Sequence, residues 1–191
     1  MSPRTKQQFE EIREASAKKI MDAALELFGT VGYQKTSMSQ IASTADVSKG
    51  LIYNYFSSKE DLLRALMDDL TSLGAEMMSQ LLTDNPKETL ENILRMTFKW
   101  FREHDRMNRL IFGLTLQVDQ FDFVNQLADS KIKGYVALLE GLLQQIGFKD
   151  FNAEARILAT IFDGVCIQYL VLKDDYPLDE IEAMLIRKYC Y

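Results

Sequence analysis

The sequence predicts an all-α fold, and three observations carry that prediction. Apolar residues recur at helical spacing along nearly the whole chain, and no stretch alternates as a strand does. Only three prolines and nine glycines interrupt 191 residues, so long helices can run unbroken. Serines suited to capping helix starts cluster between residues 37 and 58, marking short, closely spaced helices.

The first helix is expected from about Phe9 to Phe28, with Ile20, Ala24, Leu27 and Phe28 at i, i+4, i+7 and i+8. It stops in "GTVGY", where Gly29 and Gly32 can supply the left-handed geometry that ends helices. Ser37 and Gln40 have the form of a capping box for a second helix carrying Ile41, Ala42 and Ala45. "ADV" then makes a tight turn, and Ser48 can cap a third helix from Lys49 to about Phe56. In "SSKED", Ser57 with Glu60, or Ser58 with Asp61, can start a fourth helix running to about Leu82. Beyond Asn85 and Pro86, longer helices are expected at roughly 87–103, 105–117, 123–146, 152–173 and 178–189.

The third helix carries the most informative pattern. At about 100° per residue, Ile52 and Phe56 point one way, with Ser48 and Tyr55 beside them. Lys49, Gly50, Tyr53 and Asn54 fall on the opposite arc, and Leu51 sits at a border. Ile52 and Phe56 are therefore core anchors, which leaves a lysine, a tyrosine and an asparagine projecting outward. Such side chains suit a phosphate backbone and base edges. Gly50 inside a helix costs about 1 kcal/mol relative to alanine, and close approach of a bulky partner would offset it.

Composition limits the alternatives. With 47% hydrophobic residues the chain can bury a full core. The formal net charge of −6 is unevenly spread: residues 1–65 hold nine Lys/Arg against eight Asp/Glu, and the remainder thirteen against twenty. An acidic body repels a polyanion and leaves only the N-terminal part able to approach one. No apolar run approaches the roughly 20 residues that span a bilayer. The charged start "MSPRTKQQFEEIREASAKK" has no apolar signal region, so a cytoplasmic protein without membrane attachment is expected. Cys166 and Cys190 are far apart and lack metal-ligand spacing; two free thiols are expected, with no metal and no cofactor. His104 is the single histidine, and no Gly-rich phosphate loop is present, so no catalytic residue is assigned and an enzyme is not expected.

Residues 16–66, including "ALELFGTVGYQKTSMSQIASTADVSKGLIYNYFSSKEDLLRAL", resemble the N-terminal DNA-binding domain of the tetracycline-repressor (TetR) family. The resemblance covers the glycine turn, the helix-turn-helix and the "YxYFxSKEDLL" exit. It implies an all-α homodimer in which residues 1–65 form a three-helix helix-turn-helix domain. Residues 66–191 would then form a helical effector-binding and dimerisation domain. Carried over by position, Lys49 and Gly50 would meet base edges of double-stranded DNA, while Tyr53, Asn54 and Tyr55 would reach phosphates or nearby bases, and Ser48 belongs to the same DNA-binding set. Lys59 would hold a phosphate, and Thr36, Ser37 and Gln40 would meet the backbone at the start of the second helix. Leu51 stands where the family often has a small residue and can touch a thymine methyl. Arg4 and Lys6 of the N-terminal arm are candidate helpers for phosphate neutralisation.

In the acidic half, Tyr135, Leu138, Leu139, Leu142, Leu143 and Ile146 make one apolar stripe. Residues 157–172 are apolar nearly all round, which suggests that two copies of this helix pair form a four-helix bundle across a two-fold axis. Gly141 and Gly164 would allow close helix approach. Large, soft side chains on the central helices suit an apolar ligand, and Met96, Trp100, His104, Phe112, Phe162 and Cys166 are the candidate lining. Asp163 is either paired across the dimer or turned to that cavity. The resemblance implies a repressor that an unknown small effector releases from a palindromic operator by displacing the fourth helix. A DNA-bound dimer of the same fold that binds a partner protein instead is the alternative.

Overall fold

The computed structural model describes residues 6–116 and 122–191, and every regular element among them is helical. Helices α1 (Lys6–Thr30), α2 (Met38–Thr44), α3 (Lys49–Tyr55) and α4 (Lys59–Leu81) are followed by α5 (Pro86–Glu103) and α6 (Asp105–Thr115). Then come α7 (Asp122–Ile146), α8 (Phe151–Leu172), a 3-10 turn at Lys173–Asp175, and α9 (Leu178–Cys190). The chain forms two compact units divided between Gly74 and Ala75, inside α4. Residue 117 of the expected sixth helix, Arg4, and the side chain of Lys6 lie outside the described residues.

In the first unit α1 buries Ile20, Ala24 and Phe28, with Leu27 half-buried on the same stripe. Only one of the two glycines ends this helix. Gly29 lies within the last turn of α1, which runs on to Thr30, whereas Gly32 takes φ +94° and donates its N–H to the Leu27 carbonyl. The Ser37 hydroxyl accepts the Gln40 N–H, and the Gln40 side chain accepts the Ser37 N–H at 2.8 Å, completing the capping box of α2. Asp46 turns the chain at φ +54°, a conformation Asp tolerates better than most residues, and Val47 N–H closes onto the Ala42 carbonyl at 3.0 Å. Ser48 caps α3 by accepting the Leu51 N–H at 3.1 Å. At α4 the Ser58 pairing forms: its hydroxyl accepts the Asp61 N–H, while the Asp61 carboxylate accepts the Ser57 N–H at 2.8 Å. Seven-residue helices are unstable alone. Burial of Ile41, Ala42 and Ile52 therefore holds α2 and α3 in place.

The second unit is built on α5, α7, α8 and α9. Leu90, Ile93, Leu94 and Phe98 of α5 share one core with Leu139 and Leu143 of α7, Leu158 and Phe162 of α8, and Tyr189 of α9. The apolar stripe read on α7 faces this core, with Tyr135, Leu138 and Ile146 partly buried at its margin. Within the chain, a Cβ added at Gly141 or Gly164 would meet nothing within 4 Å, so the expected close helix approach is not made inside the subunit. Ion pairs fasten the rim: Arg102 to Asp179 and Glu182, Arg109 and Lys173 to Asp105, and Lys188 to Glu154. Residues Phe151–Asp175, with a mean hydropathy of 1.6 in their most apolar stretch, are long and apolar enough to cross a membrane. Counting uninterrupted apolar runs overlooked this segment, because isolated polar residues break the run without making the helix polar. One face of α8 is nevertheless folded into the core through Ala155, Leu158, Phe162 and Cys166.

Phe98 is fully buried, 5.9 Å from the Phe101 ring and edge-on to Phe162 at 6.4 Å. Phe98→Ala is expected to destabilise the second unit by about 3–5 kcal/mol in urea denaturation. Lys99→Ala, exposed one residue on, should change stability by about 0.5 kcal/mol or less.

Candidate nucleic-acid interface

The orientation of α3 follows from two side chains. Ile52 is 0% exposed and Phe56, at the helix end, 8%, so the helix is pinned by that side. Ser48, Lys49, Gly50, Tyr53 and Asn54 are exposed, and Leu51 and Tyr55 are half-buried between the two faces. Tyr53 leaves 46% of its surface to solvent, a large apolar ring with a hydroxyl tip that nothing in the fold requires to be outside. A Cβ built on Gly50 would meet nothing within 4 Å, so no internal contact demands glycine there. The outward arc thus offers an ammonium, a carboxamide, a phenol and an unobstructed backbone. These groups can donate to phosphate oxygens and to base edges in a major groove.

The residues expected around α2 and α4 divide differently. Thr36 is 3% exposed; its hydroxyl donates to the Gly32 carbonyl at 2.9 Å and its N–H to the Tyr33 carbonyl at 3.2 Å. It serves the turn, contrary to the expectation that it meets the DNA backbone. Ser37 and Gln40 are exposed, but the carboxamide oxygen of Gln40 is committed to Ser37. That leaves the Gln40 NH2 as the end that can meet a partner. Lys59 departs furthest from expectation. Its ammonium donates to the carbonyls of Tyr33 (2.8 Å), Thr36 (2.9 Å) and Gln34 (3.4 Å) and lies 4.3 Å from the centre of the Tyr33 ring. Burial lowers its pKa below the usual lysine value. Three donors spent on three carbonyls leave none for a phosphate, and Lys59 is instead a staple between the start of α4 and the turn before α2. A sequence signal for this existed: a lysine in the first turn of a helix opposes the helix dipole and needs another partner. Sequence reasoning also passed over Tyr33, 7% exposed and 5.0 Å from the Phe28 ring, and Lys35, an exposed cation just ahead of α2. Burial, and then the charge of Glu60, raise the Tyr33 pKa.

The candidate effector residues take different places in the second unit. Trp100 and His104 come together with ring centres 3.8 Å apart, and His104 is half-buried at the junction of α5 and α6. Phe162 and Cys166 are buried in the core, Phe162 against Phe98 and Tyr135. Burial and then the Asp163 charge push the Cys166 thiol up to about 12. Phe112 is partly buried against the same core, and Met96 is half-buried. One surface cleft of about 380 Å³ is lined by residues including Arg102, Tyr169, Lys173 and Tyr176; another of about 360 Å³ runs beside Arg95, Glu182 and Arg187. None of the six residues lines either cleft. Among the described residues no three His, Cys, Asp or Glu gather as a metal site.

Known proteins resemble this chain in both sequence and fold. Residues 20–66 match the family model described as bacterial regulatory proteins, tetR family. The fatty acid metabolism regulator protein of Bacillus subtilis is 30% identical over 128 residues, covering 66% of this chain. The matched part spans 65% of that relative's own length. A TetR transcription regulator from Haloarcula marismortui superposes with a TM-score of 0.78 at 20% identity, covering 93% of this chain and 97% of that one. The transcriptional regulator FadR from Bacillus subtilis, solved in complex with stearoyl-CoA, gives 0.69 at 23% identity, covering 91% and 97%. At these identities the solved structures are alike in fold.

Replacing Lys59 by Met keeps its stem and removes the ammonium. The loss should lower the stability of the first unit by about 1–2 kcal/mol in thermal unfolding followed by circular dichroism. Lys49→Met, which touches the exposed arc alone, should stay within about 0.5 kcal/mol of the parent.

Proposed function

Because residues 20–66 make this chain a member of the tetR family of bacterial regulatory proteins, we propose that it is a homodimeric, DNA-binding transcriptional repressor of the cytoplasm. It binds a palindromic operator through α3 and leaves it when a small amphipathic effector occupies the second unit. The observation that carries the first half is the exposed arc of Lys49, Gly50, Tyr53 and Asn54 on a helix pinned from behind by Ile52. Lys49 and Gly50 approach base edges, and Tyr53, Asn54, Ser48 and the Gln40 amide take the flanking backbone. Tyr55 and Leu51, at the borders of the arc, are the second rank.

The dimer reading has its own support. Ile157, Ile167 and Val171 are 48%, 48% and 75% exposed, and with Gly164 they fall on one face of α8, opposite its core face. A second copy would cover that stripe, and at Gly164 nothing inside the subunit blocks its approach. Two copies of α3 held about 34–36 Å apart would enter successive major grooves, which is why the operator should be palindromic. For the effector, the Bacillus subtilis relative is a fatty acid metabolism regulator and a protein of similar fold holds stearoyl-CoA. A long-chain fatty acyl thioester is therefore the effector class we carry over. Its action requires different affinities for the DNA-bound and free states, a coupling of typically about 1–3 kcal/mol.

Selection of bound duplexes from random DNA by the purified protein tests this reading. The expected product is a palindrome with half-sites one helical turn apart, released by stearoyl-CoA. Failure to enrich any motif would sink the DNA-binding half, and release by no acyl thioester would sink the effector half. On the selected duplex, Tyr53→Ala should weaken binding about tenfold in gel-shift titration at fixed salt, with helix content unchanged.

A further inference from the structure

Two polar groups inside the second unit are buried with no hydrogen-bond partner among the described residues: the side-chain amide nitrogen of Asn108 and the hydroxyl of Tyr135. Natural cores keep few such groups, because an unpaired donor has given up water and gained nothing. Asn108, on α6, is only 4% exposed, and its Oδ1 accepts the Trp100 Nε1–H at 3.0 Å. That bond fixes which way the amide points, so the NH2 is the end held without an acceptor. Tyr135, on α7, rests its ring 5.9 Å from that of Phe162. Its hydroxyl faces the Thr97 side chain without completing a hydrogen bond, and the Thr97 hydroxyl is itself donated to the Ile93 carbonyl at 2.8 Å. Thr97 and Trp100 are three residues apart on α5, hence neighbours on one face of that helix. Each orphan donor thus lies beside a residue of one stripe of α5, Tyr135 by Thr97 and Asn108 by Trp100, and the Phe162 ring packs against both Tyr135 and Phe98.

We infer that Asn108 Nδ2 and Tyr135 Oη form the polar subsite of the effector site, donating to a neutral acceptor oxygen, such as a thioester carbonyl, at the head of an apolar chain. The inference rests on the acyl-effector reading above and assigns its recognition to two residues. Charge argues for a neutral oxygen. Two nearby cations are engaged elsewhere, Arg109 with Asp105 and the Leu170 carbonyl, and Lys173 with Asp105. The negative charge of Asp163 bears on both the Tyr135 hydroxyl and the Cys166 thiol and raises the pKa of each, after burial. A free carboxylate would meet that charge. A carbonyl oxygen accepts the same two hydrogen bonds without a net charge. The waiting donors reward only a ligand that brings an acceptor.

The test uses the full-length protein, its Tyr135→Phe variant, and two probes that differ at one group: stearoyl-CoA and its thioether analogue S-octadecyl-CoA, which lacks the carbonyl oxygen. The parent should bind stearoyl-CoA on the order of tenfold or more tighter than the thioether by calorimetry. In Tyr135→Phe that preference should shrink severalfold through weaker thioester binding alone, while the variant without ligand melts no lower than the parent. Asn108→Ser should shrink it in the same direction. Equal binding of stearoyl-CoA by parent and Tyr135→Phe overturns the subsite while leaving the acyl reading standing. Binding of neither probe to the parent overturns the acyl reading, and the subsite with it.

Discussion

The burial of Ile52 is the constraint on which the exposed arc of α3 depends. A helix of seven residues does not sustain itself, since the entropy lost in nucleating it exceeds what its few hydrogen bonds return. Three things outside the helix's own backbone hold α3: the Ser48 cap, the apolar anchors Ile52 and Phe56, and the tight turn through Asp46 that delivers the chain from α2. Full burial of an isoleucine is worth about 1.5–3 kcal/mol, more than a cap supplies. It also fixes rotation. With Ile52 inward, steps of about 100° put Gly50 and Asn54 on the far side and Tyr53 on the flank. Lys49 stands only about 60° from Ile52 and is exposed at the helix start. One apolar contact thus decides most of what a partner would meet.

Around that anchor the first unit is tied by polar groups that look, from their chemistry alone, as if they belonged to a partner. The Lys59 ammonium gathers three carbonyls from the turn ahead of α2, and Thr36 closes the same turn from inside. Both residues hold the turn that leads into α2. The second unit meets its demands differently, with α8 apolar on two faces: one folded against α5 and α7, the other carrying Ile157, Ile167 and Val171 into solvent. A helix of this kind is stable inside the subunit and still has surface to offer a second copy.

What could be read from the chain, and what could not, divides along the range of the interactions. Caps and glycine turns act within about four residues, so Ser37 with Gln40, Ser48, and Ser58 with Asp61 located the helix starts to within a residue or two. The wheel of α3 was legible for the same reason, because one face of a short helix is either apolar or not. Lys59 was misread because its partners lie 23 to 26 residues away and are backbone atoms, which leave no trace in a residue pattern. Gly29 was misread because propagation of α1 overrode the breaker, and Gly32 alone took the left-handed turn. For the effector lining, residue type indicated softness and size but not whether Phe162 and Cys166 border a space or fill it. That is a property of packing among α5, α7 and α8, and no local signal encodes it.

A diffraction structure of the protein on its selected duplex tests the central claim most directly. The account predicts α3 in the major groove, with Lys49 and Gly50 against base edges, Tyr53 and Asn54 on the adjoining strand, and Ile52 still buried. A complex in which α3 lies away from the duplex, or in which the helix has rotated to bring Ile52 out, would contradict it.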